Sequence, residues 1–387
     1  MLWSWIIVVV GIAPWLALGG MILLTSRRVR TLSASSGDEH PLVSVVCPAR
    51  NEADELEAAM RSRLSDPSPQ LEFILVDDRS TDATGSIMDA LAREDDRVRV
   101  VHNEDLPEGW LGKVHAQQRG LELAHGDWIL FSDSDVHLRP GLVSSAMAWA
   151  RDQESDHVAL IPRIDGGPFI MRACLSIMIL VLTAGTRLWK ANDDSADRAM
   201  GVGAFNLVRR STLEAAGGLE RIRMEIADDV GIGTIVRESG GRSRLALATD
   251  RLSVKWYRST RDFLQGMEKG AAKAGGRFGL ALRAVLLFFT TLVLLAPFVV
   301  LAFWAVVPLP VAVVACAGSA IAFTTSIVAA LRFGLPCRWS LLLPLGLVLI
   351  LFVGQRSMWL AFVRGGVRWR GDQLSLESTQ EGEQVRI

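Results

Sequence analysis

Carboxylates dominate the positions at which this sequence could do chemistry. Asp133 and Asp135 flank Ser134 directly after the apolar run Trp128 to Phe131, so a buried strand is predicted to end in acid at the rim of a sheet, where open α/β sheets bind ligands. Alternate residues of an extended chain face the same way, so both carboxylates can reach one hard cation and, through it, a diphosphate. A solvated acidic loop is the competing reading of an isolated Asp-x-Asp. Further on, Glu225, Asp228 and Asp229 place three carboxylates within five residues at the start of a helix expected to run to about Ser239. Asp228 and Asp229 can equally serve as caps of that helix. Two other polar turns stand out, Pro48-Ala-Arg-Asn-Glu52 and Asp77-Asp-Arg-Ser-Thr-Asp82. Arg258 and Arg261 lead into a basic stretch with Lys269, Lys273 and Arg277, which reads as an amphipathic helix able to lie on anionic headgroups or to present arginines to a diphosphate.

The elements that must position these groups alternate between strand and helix. Leu42 to Cys47, Leu71 to Val76 and Val98 to His102 have strand patterns, while Glu52 to Leu64 and Thr84 to Arg93 have helical ones. That rhythm predicts βαβ units and a mainly parallel sheet covered by helices, with the polar turns at its carboxyl edge. No G-x-G-x-x-G follows the first strand and no G-x-x-x-x-G-K-[ST] occurs, so a nicotinamide or P-loop site lacks its phosphate cradle. Gly201-Val-Gly-Ala-Phe-Asn-Leu-Val-Arg-Arg210 joins small residues, which permit close backbone approach, to a strand.

The 387 residues are 50% apolar with a mean hydropathy of +0.29, yet 21% are charged, which indicates a chain part membrane and part aqueous. Lys plus Arg (41) against Asp plus Glu (42) leaves a net charge of −1, so nucleic acid is not an expected partner. The four cysteines have no C-x-x-C spacing and imply neither zinc nor a disulfide framework. Trp3 to Leu24 is long enough to span a bilayer and is followed by Arg27, Arg28 and Arg30, which reads as an uncleaved anchor with the arginines in the cytoplasm. Residues 1–26 then form the anchor and 27–40 a linker. Residues 41–279 form the α/β domain, whose segment 168–189 carries Arg172 and Arg187 and reads as an interfacial helix rather than a span. Residues 280–363 hold three apolar segments, Ala284 to Val307, Val311 to Leu331 and Leu341 to Val363, and 364–387 a polar tail whose acidic end, Glu377 to Ile387, reads as disordered. If all three segments cross, the tail with Arg364, Arg368 and Arg370 ends outside, against the positive-inside expectation. A re-entrant or tilted last segment resolves the conflict, with Arg356 facing protein or headgroups rather than lipid.

With Pro48-Ala-Arg-Asn-Glu52, Val76-Asp-Asp-Arg-Ser-Thr-Asp82, Gly112-Lys113, Asp133-Ser-Asp135 and Asp228-Asp229 in that order, the chain resembles the inverting family 2 glycosyltransferases of GT-A fold. Pro107-Glu-Gly-Trp-Leu-Gly-Lys-Val-His-Ala116 and Gly366-Val-Arg-Trp-Arg-Gly371 resemble, more narrowly, the hopene-associated, ceramide-glucosyltransferase-like and carotenoid glycosyltransferases. The resemblance covers essentially the whole chain. It implies an α/β, Rossmann-like GT-A domain with one N-terminal and about three C-terminal transmembrane or re-entrant helices. By the same resemblance Asp77 and Asp78, with the turn Ala49, Arg50, Asn51 and Glu52, hold the base and ribose of a UDP- or GDP-linked sugar. Lys113 and Ser134 lie near the donor, and Asp135, helped by Asp133, binds a Mg²⁺ or Mn²⁺ bridging the diphosphate. Asp229 is the general base, and Asp228 takes the place of the first acid of the family's Glu-Asp pair. One departure is Arg258-Ser-Thr-Arg-Asp262, where processive and ceramide-type members carry Gln/Arg-x-x-Arg-Trp: Arg258 and Arg261 can still meet the diphosphate, but the stacking surface of the Trp is missing.

The function expected is transfer of a single sugar to a lipid or polyisoprenoid acceptor by an integral protein of the cell (inner) membrane, with its catalytic domain cytoplasmic. A processive glycan synthase of the same family is the alternative within enzymes, and a non-catalytic membrane scaffold with a nucleotide-binding fold the alternative outside them.

Overall fold

The computed structural model of the chain describes residues 2–34, 40–196, 199–271, 276–369 and 372–375. Part of the linker, Lys273, Arg370 and the acidic end at 377–387 lie outside them. The chain folds as two compact units. Among the described residues, one comprises 2–28, Gly166–Trp189 and 256–375, and the other Val29–Asp165 with Lys190–Lys255.

Helix α1 (Leu2–Arg28) opens the first unit, and β1 (Val43–Ala49) the second. After α2 (Ala53–Leu64) come β2 (Leu71–Asp78), α3 (Thr84–Glu94), β3 (Val98–Asn103), α4 (Gly112–Leu123) and β4 (Trp128–Phe131). Then follow β5 (Val136–Leu138), α5 (Leu142–Asp152), β6 (His157–Ile161) and β7 (Arg163–Ile164). Helix α6 (Phe169–Gly185) belongs to the first unit; β8 (Asn206–Arg209), α7 (Arg210–Ala215), α8 (Asp228–Glu238), β9 (Ser243–Leu247) and β10 (Leu252–Val254) complete the second. The seven-stranded sheet runs β3-β2-β1-β4-β8-β6-β9. Only β8 opposes its neighbours, pairing antiparallel with both β4 and β6, while β1–β2, β2–β3, β1–β4 and β6–β9 are parallel. Every residue of β1, β2 and β4 is buried, as expected of parallel strands covered on both faces, and this is why they read as unbroken apolar runs. A second sheet, β5-β10-β7, carries the chain onward from Asp135.

The first unit continues with α9 (Thr260–Gly266), α10 (Gly276–Ala302), α11 (Leu309–Arg332), α12 (Leu343–Arg364) and a hairpin of β11 (Gly366–Trp369) and β12 (Asp372–Ser375). The basic stretch expected as one helix is not continuous: α9 gives way to a 3₁₀ segment, Met267–Ala271, before α10 begins. Glycines at 266, 270 and 276 weaken a helix there. Four segments, Trp3–Arg28, Gly276–Ala302, Leu309–Arg332 and Cys337–Arg364, are long and apolar enough to cross a membrane, whereas α6, at 17 residues, is shorter.

The contacts in this unit fix helix directions. Gly11 lies against Ala296 and Pro297, and Trp15 Nε1 donates to Leu294 O at 3.0 Å, so α10 runs antiparallel to α1. Gly318 lies against Ile12 and Gly19 against Thr325, so α11 runs parallel to α1. Gln355 Nε2 donates to Ala284 O at 2.7 Å and the Arg277 guanidinium lies over the Phe362 ring, so α12 runs antiparallel to α10 and in the same sense as α11 before it. Arg356 and Arg364 both bond Glu268, each at 2.9 Å, and Glu268 is buried just ahead of α10. Arg356 therefore faces protein, as one resolution of the topology conflict required. Arg364 ends up at the same end of the bundle as Arg28 and Arg332.

Candidate functional site

The carboxyl ends of β1, β2 and β4 lie side by side, and the turns leaving them are tied to each other. Asn51, at φ 55°, donates its N–H to Ser80 Oγ (3.0 Å) and accepts from Thr81 N through Oδ1 (2.8 Å). Glu52 N donates to Thr84 Oγ1 at 2.8 Å and Ala53 N to Asp82 Oδ2 at 3.2 Å. Asp77 accepts from Ser80 N (3.1 Å) and pairs with His102 Nδ1 (3.1 Å), while Asp78 is clasped by Arg79 at 2.9 and 3.2 Å. The hydrogen bond to Asp77 raises the His102 pKa. Ala49 and Arg50 lead from β1 into the same turn.

The loop after β4 is fixed from three directions. Ser132 N donates to Val46 O (3.1 Å) and Ser132 Oγ to Ala204 O (2.7 Å). Arg63, a buried guanidinium near the end of α2, donates to Asp133 O and to Val136 O (3.0 Å). Asp133 N donates to Gly203 O at 2.9 Å, and Gly203 N in turn donates to Asp229 Oδ2 at 2.9 Å. One residue of main chain thus joins the Asp-x-Asp loop to the first turn of α8. A Cβ at Gly203 would fall 2.6 Å from Asp133 Oδ2, and one at Gly201 would fall 1.7 Å from Asp229 O. The small residues of that stretch are there because two backbones meet.

Lys113, at the start of α4, sits between the acids: Nζ is 2.8 Å from Asp133 Oδ1 and 3.0 Å from Asp228 Oδ2. Burial alone would lower its pKa, but Asp133, Asp228 and Asp229 outweigh that and hold it above the usual lysine range. Asp228 is buried and also accepts from Gln117 Nε2 at 2.8 Å. The N-cap position of α8 is Ala227, and Asp228 and Asp229 follow it in the first turn. The two acids of the pair therefore differ in what they do. Asp228 is the counter-ion of a partly buried lysine. Asp229 is partly exposed, with Gly203 N on one oxygen and Val230 N on the other (2.9 Å each). Ser134 is buried and Asp135 half-buried at the same strand end.

Arg258 and Arg261 belong to the other unit, around the start of α9. There Ser259 Oγ accepts from Asp262 N at 3.1 Å, so Asp262 fills an acidic first-turn position of α9, where a negative charge complements the helix dipole. Arg63, Gln117, Gly203 and Asn206 were not singled out individually by sequence reasoning. The signal for Arg63 was available: it continues the buried stripe Leu56, Ala59, Met60 of α2 as a lone charge.

A mainly parallel α/β sheet with an acid-rich carboxyl edge, a second small sheet and four long apolar helices defines a GT-A-like fold. Residues 44–214 match the family described as Glycosyl transferase family 2. The GalNAc(5)-diNAcBac-PP-undecaprenol beta-1,3-glucosyltransferase of Campylobacter jejuni is 33% identical over 112 residues, 29% of this chain and 35% of that protein. The 4,4'-diaponeurosporenoate glycosyltransferase of Staphylococcus haemolyticus is 25% identical over 201 residues, 51% of this chain and 52% of that protein. The chain thus spans between about a third and a half of these relatives. Among solved structures, the mannosyltransferase PcManGT of Pyrobaculum calidifontis, in complex with GDP-Man and Mn²⁺, is similar over 84% of this chain and 98% of that one, with a TM-score of 0.51 and 21% identity.

Proposed function

We propose that the chain is a membrane-anchored, metal-dependent, inverting hexosyltransferase that moves one sugar from a UDP- or GDP-linked donor to a lipid or polyisoprenoid acceptor. The observation that carries this reading is the Gly203 bridge, whose N–H and C=O join Asp229 to the Asp133–Asp135 loop beside Lys113.

Asp133 and Asp135 fit a Mg²⁺ or Mn²⁺. They are hard oxygen donors at one strand end, and no cluster of three His, Cys, Asp or Glu residues forms a closed cage among the described residues. That donor set suits a cation completed by phosphate oxygens and water. Such an ion supplies positive charge against the charge developing on a diphosphate leaving group. The chain's own groups do the rest. Lys113 adds a partly buried ammonium at the same edge, where charge interactions are screened less than in water. Asp77 and Asp78, with Ala49, Arg50, Asn51 and Glu52, hold base and ribose, and Ser134 lines the donor's path. Asp229 accepts the proton of the acceptor hydroxyl as its oxygen attacks the anomeric carbon from the face opposite the diphosphate. General-base help of this kind is worth ~10²–10⁴-fold. A single displacement inverts the anomeric centre.

The names of two relatives, one an undecaprenol diphosphate glycan and the other a carotenoid acid, support an apolar acceptor. Arg27 and Arg28 end α1, Arg332 ends α11, and Arg364 lies at that same end of the bundle, which supports a cytoplasmic catalytic domain at the cell membrane. Arg258 and Arg261 are assigned to the diphosphate in this reading.

Asp229→Asn is expected to abolish transfer from a panel of UDP- and GDP-hexoses in membranes holding the full-length protein, with UDP or GDP binding nearly unchanged; unchanged turnover removes the base assignment. Asp135→Ala is expected to lose metal-dependent nucleotide binding, and equal UDP affinity with and without Mn²⁺ in the parent protein counts against the metal site.

A further inference from the structure

A buried polar chain runs from β9 through β6 and β8 to the first turn of α8. His157 is fully buried on β6, with Nδ1 2.7 Å from Ser243 Oγ and Nε2 hydrogen-bonded to Asn206 Oδ1. Asn206, buried on β8, donates through Nδ2 to Asp229 O at 3.1 Å. The direction of every bond follows from that last one. A peptide carbonyl only accepts, so the amide nitrogen of Asn206 faces Asp229 and its oxygen faces His157. His157 must then carry its hydrogen on Nε2, which leaves Nδ1 to accept from the Ser243 hydroxyl. The neutral ring with that tautomer satisfies both ends, and burial drives the His157 pKa down to about 4, keeping the ring neutral.

The position of Asp229 depends on this chain. Its side chain is held by Gly203 N and Val230 N. Its carbonyl is pulled toward Asn206 while the Cα of Gly201 crowds it from another side, where even a Cβ would not fit. Gly233, one turn further along α8, meets the His157 ring closely enough that a Cβ there would be 3.0 Å from Cε1. The start of α8 is therefore seated on the His157–Asn206 pair as well as on the 201–203 main chain.

We propose that Asn206 and His157 are positioning residues for Asp229: they fix the height of the first turn of α8 over the sheet, and thereby the place from which the carboxylate meets an acceptor hydroxyl. This rests on the reading of Asp229 as the base. Asn206→Asp tests it with almost no change of shape. The new side chain keeps an oxygen for His157 Nε2 and puts a second oxygen against the Asp229 carbonyl, which repels it. A 1 Å misplacement of a reacting group costs on the order of 10²-fold. We expect kcat for the best-used UDP- or GDP-hexose to fall roughly 10- to 100-fold, with the donor KM within about twofold; the buried carboxylate also lowers the melting temperature of the full-length protein in detergent, so turnover is measured well below that transition. His157→Gln, which can still donate to Asn206 Oδ1, is expected to retain most turnover, and His157→Leu to lose it.

Turnover of Asn206→Asp within about twofold of the parent overturns the proposal. So does equal loss in His157→Gln and His157→Leu. Asp229→Asn run beside them separates the two levels of inference. If that variant is inactive and Asn206→Asp is fully active, the positioning role fails and the base stands. If Asp229→Asn is itself active, the base assignment fails first.

Discussion

Lys113 offers the most searching test of the site's electrostatics. Its ammonium lies 2.8 Å from Asp133 and 3.0 Å from Asp228, with side-chain exposures of 18% for Lys113, 34% for Asp133 and 8% for Asp228. Lys113→Met removes the cation and keeps the bulk. Asp133 can turn toward water, so its share is discounted for screening. Asp228 cannot, and among the described residues keeps Gln117 Nε2 as its hydrogen-bond donor. Stranding one buried charge costs 3–5 kcal/mol, and the partial exposure of Asp133 places the expected loss near the lower end, about 3 kcal/mol. For a unit of this size that corresponds to a fall in melting temperature of roughly 6–12 °C. The cause is a stranded carboxylate, so neutralising it should reverse the effect. Asp228→Asn added to Lys113→Met is expected to restore most of the loss, although Asp228→Asn alone destabilises. The assay is tryptophan-monitored melting of the full-length protein in detergent. The chain has two units, so the transition of interest is identified as the one that UDP with Mn²⁺ raises. Additive losses in the double variant, or no loss in Lys113→Met, refute the assignment of Lys113 as the counter-ion of Asp228.

Three further outcomes follow from the same contacts. Gly201→Ala must push the start of α8 away from the sheet, since the new Cβ would lie 1.7 Å from Asp229 O; kcat is expected to fall by at least about 100-fold in the hexose-transfer assay, and near-normal kcat contradicts the close packing. His157 has a folded pKa of about 4 against an ordinary 6.5, so its contribution is fully present above pH 6.5 and is lost as the pH falls through 4. A melting series from pH 7 to 4 should therefore show the parent losing up to roughly 3 kcal/mol more than His157→Gln, and parallel curves would show that the ring is not buried neutral. Glu268→Gln leaves Arg356 and Arg364 without their shared carboxylate; it is expected to lower the melting temperature of the purified protein by several degrees, while Glu268→Asp, which keeps the charge, retains more of it.

How much of this was legible in the sequence depended on whether a property is local. Strands β1, β2 and β4 declare themselves because both their faces are covered, and an unbroken apolar run results. The helix from Asp228 to Glu238 and the long apolar helices do so because their pattern is set by one neighbouring surface. The Asp-x-Asp and the paired acids at 228 and 229 were visible as types and spacings. Their division of labour was not, because the lysine that neutralises Asp228 comes from a helix before β4, and nothing local to Asp228 points to it. The direction of α12 was equally hidden. A count of crossings conflicted with the positive-inside expectation and left the last segment open, and the contact that sets its direction is made by Glu268, which holds Arg356 and Arg364 at the start of α10.

The insertion of β8 is the deepest of these cases. Residues 201–206 touch Asp133 and Asp229 only because β8 enters antiparallel between β4 and β6, far from its place in chain order. Periodicity can say that Asn206 to Arg209 is a strand, but not between which neighbours it lies. His157 and Asn206 did leave a trace, since each is a polar side chain at the first position of a short strand whose interior is buried. In most strands that position is a solvent-facing start. Here one strand threaded against the direction of its neighbours brings the two together, and the carbonyl of Asp229 becomes the acceptor at the end of their chain. The same threading carries the Gly203 main chain between Asp229 and the Asp-x-Asp loop. A single topological step therefore accounts for both the assembly of the site and the buried pair beneath it.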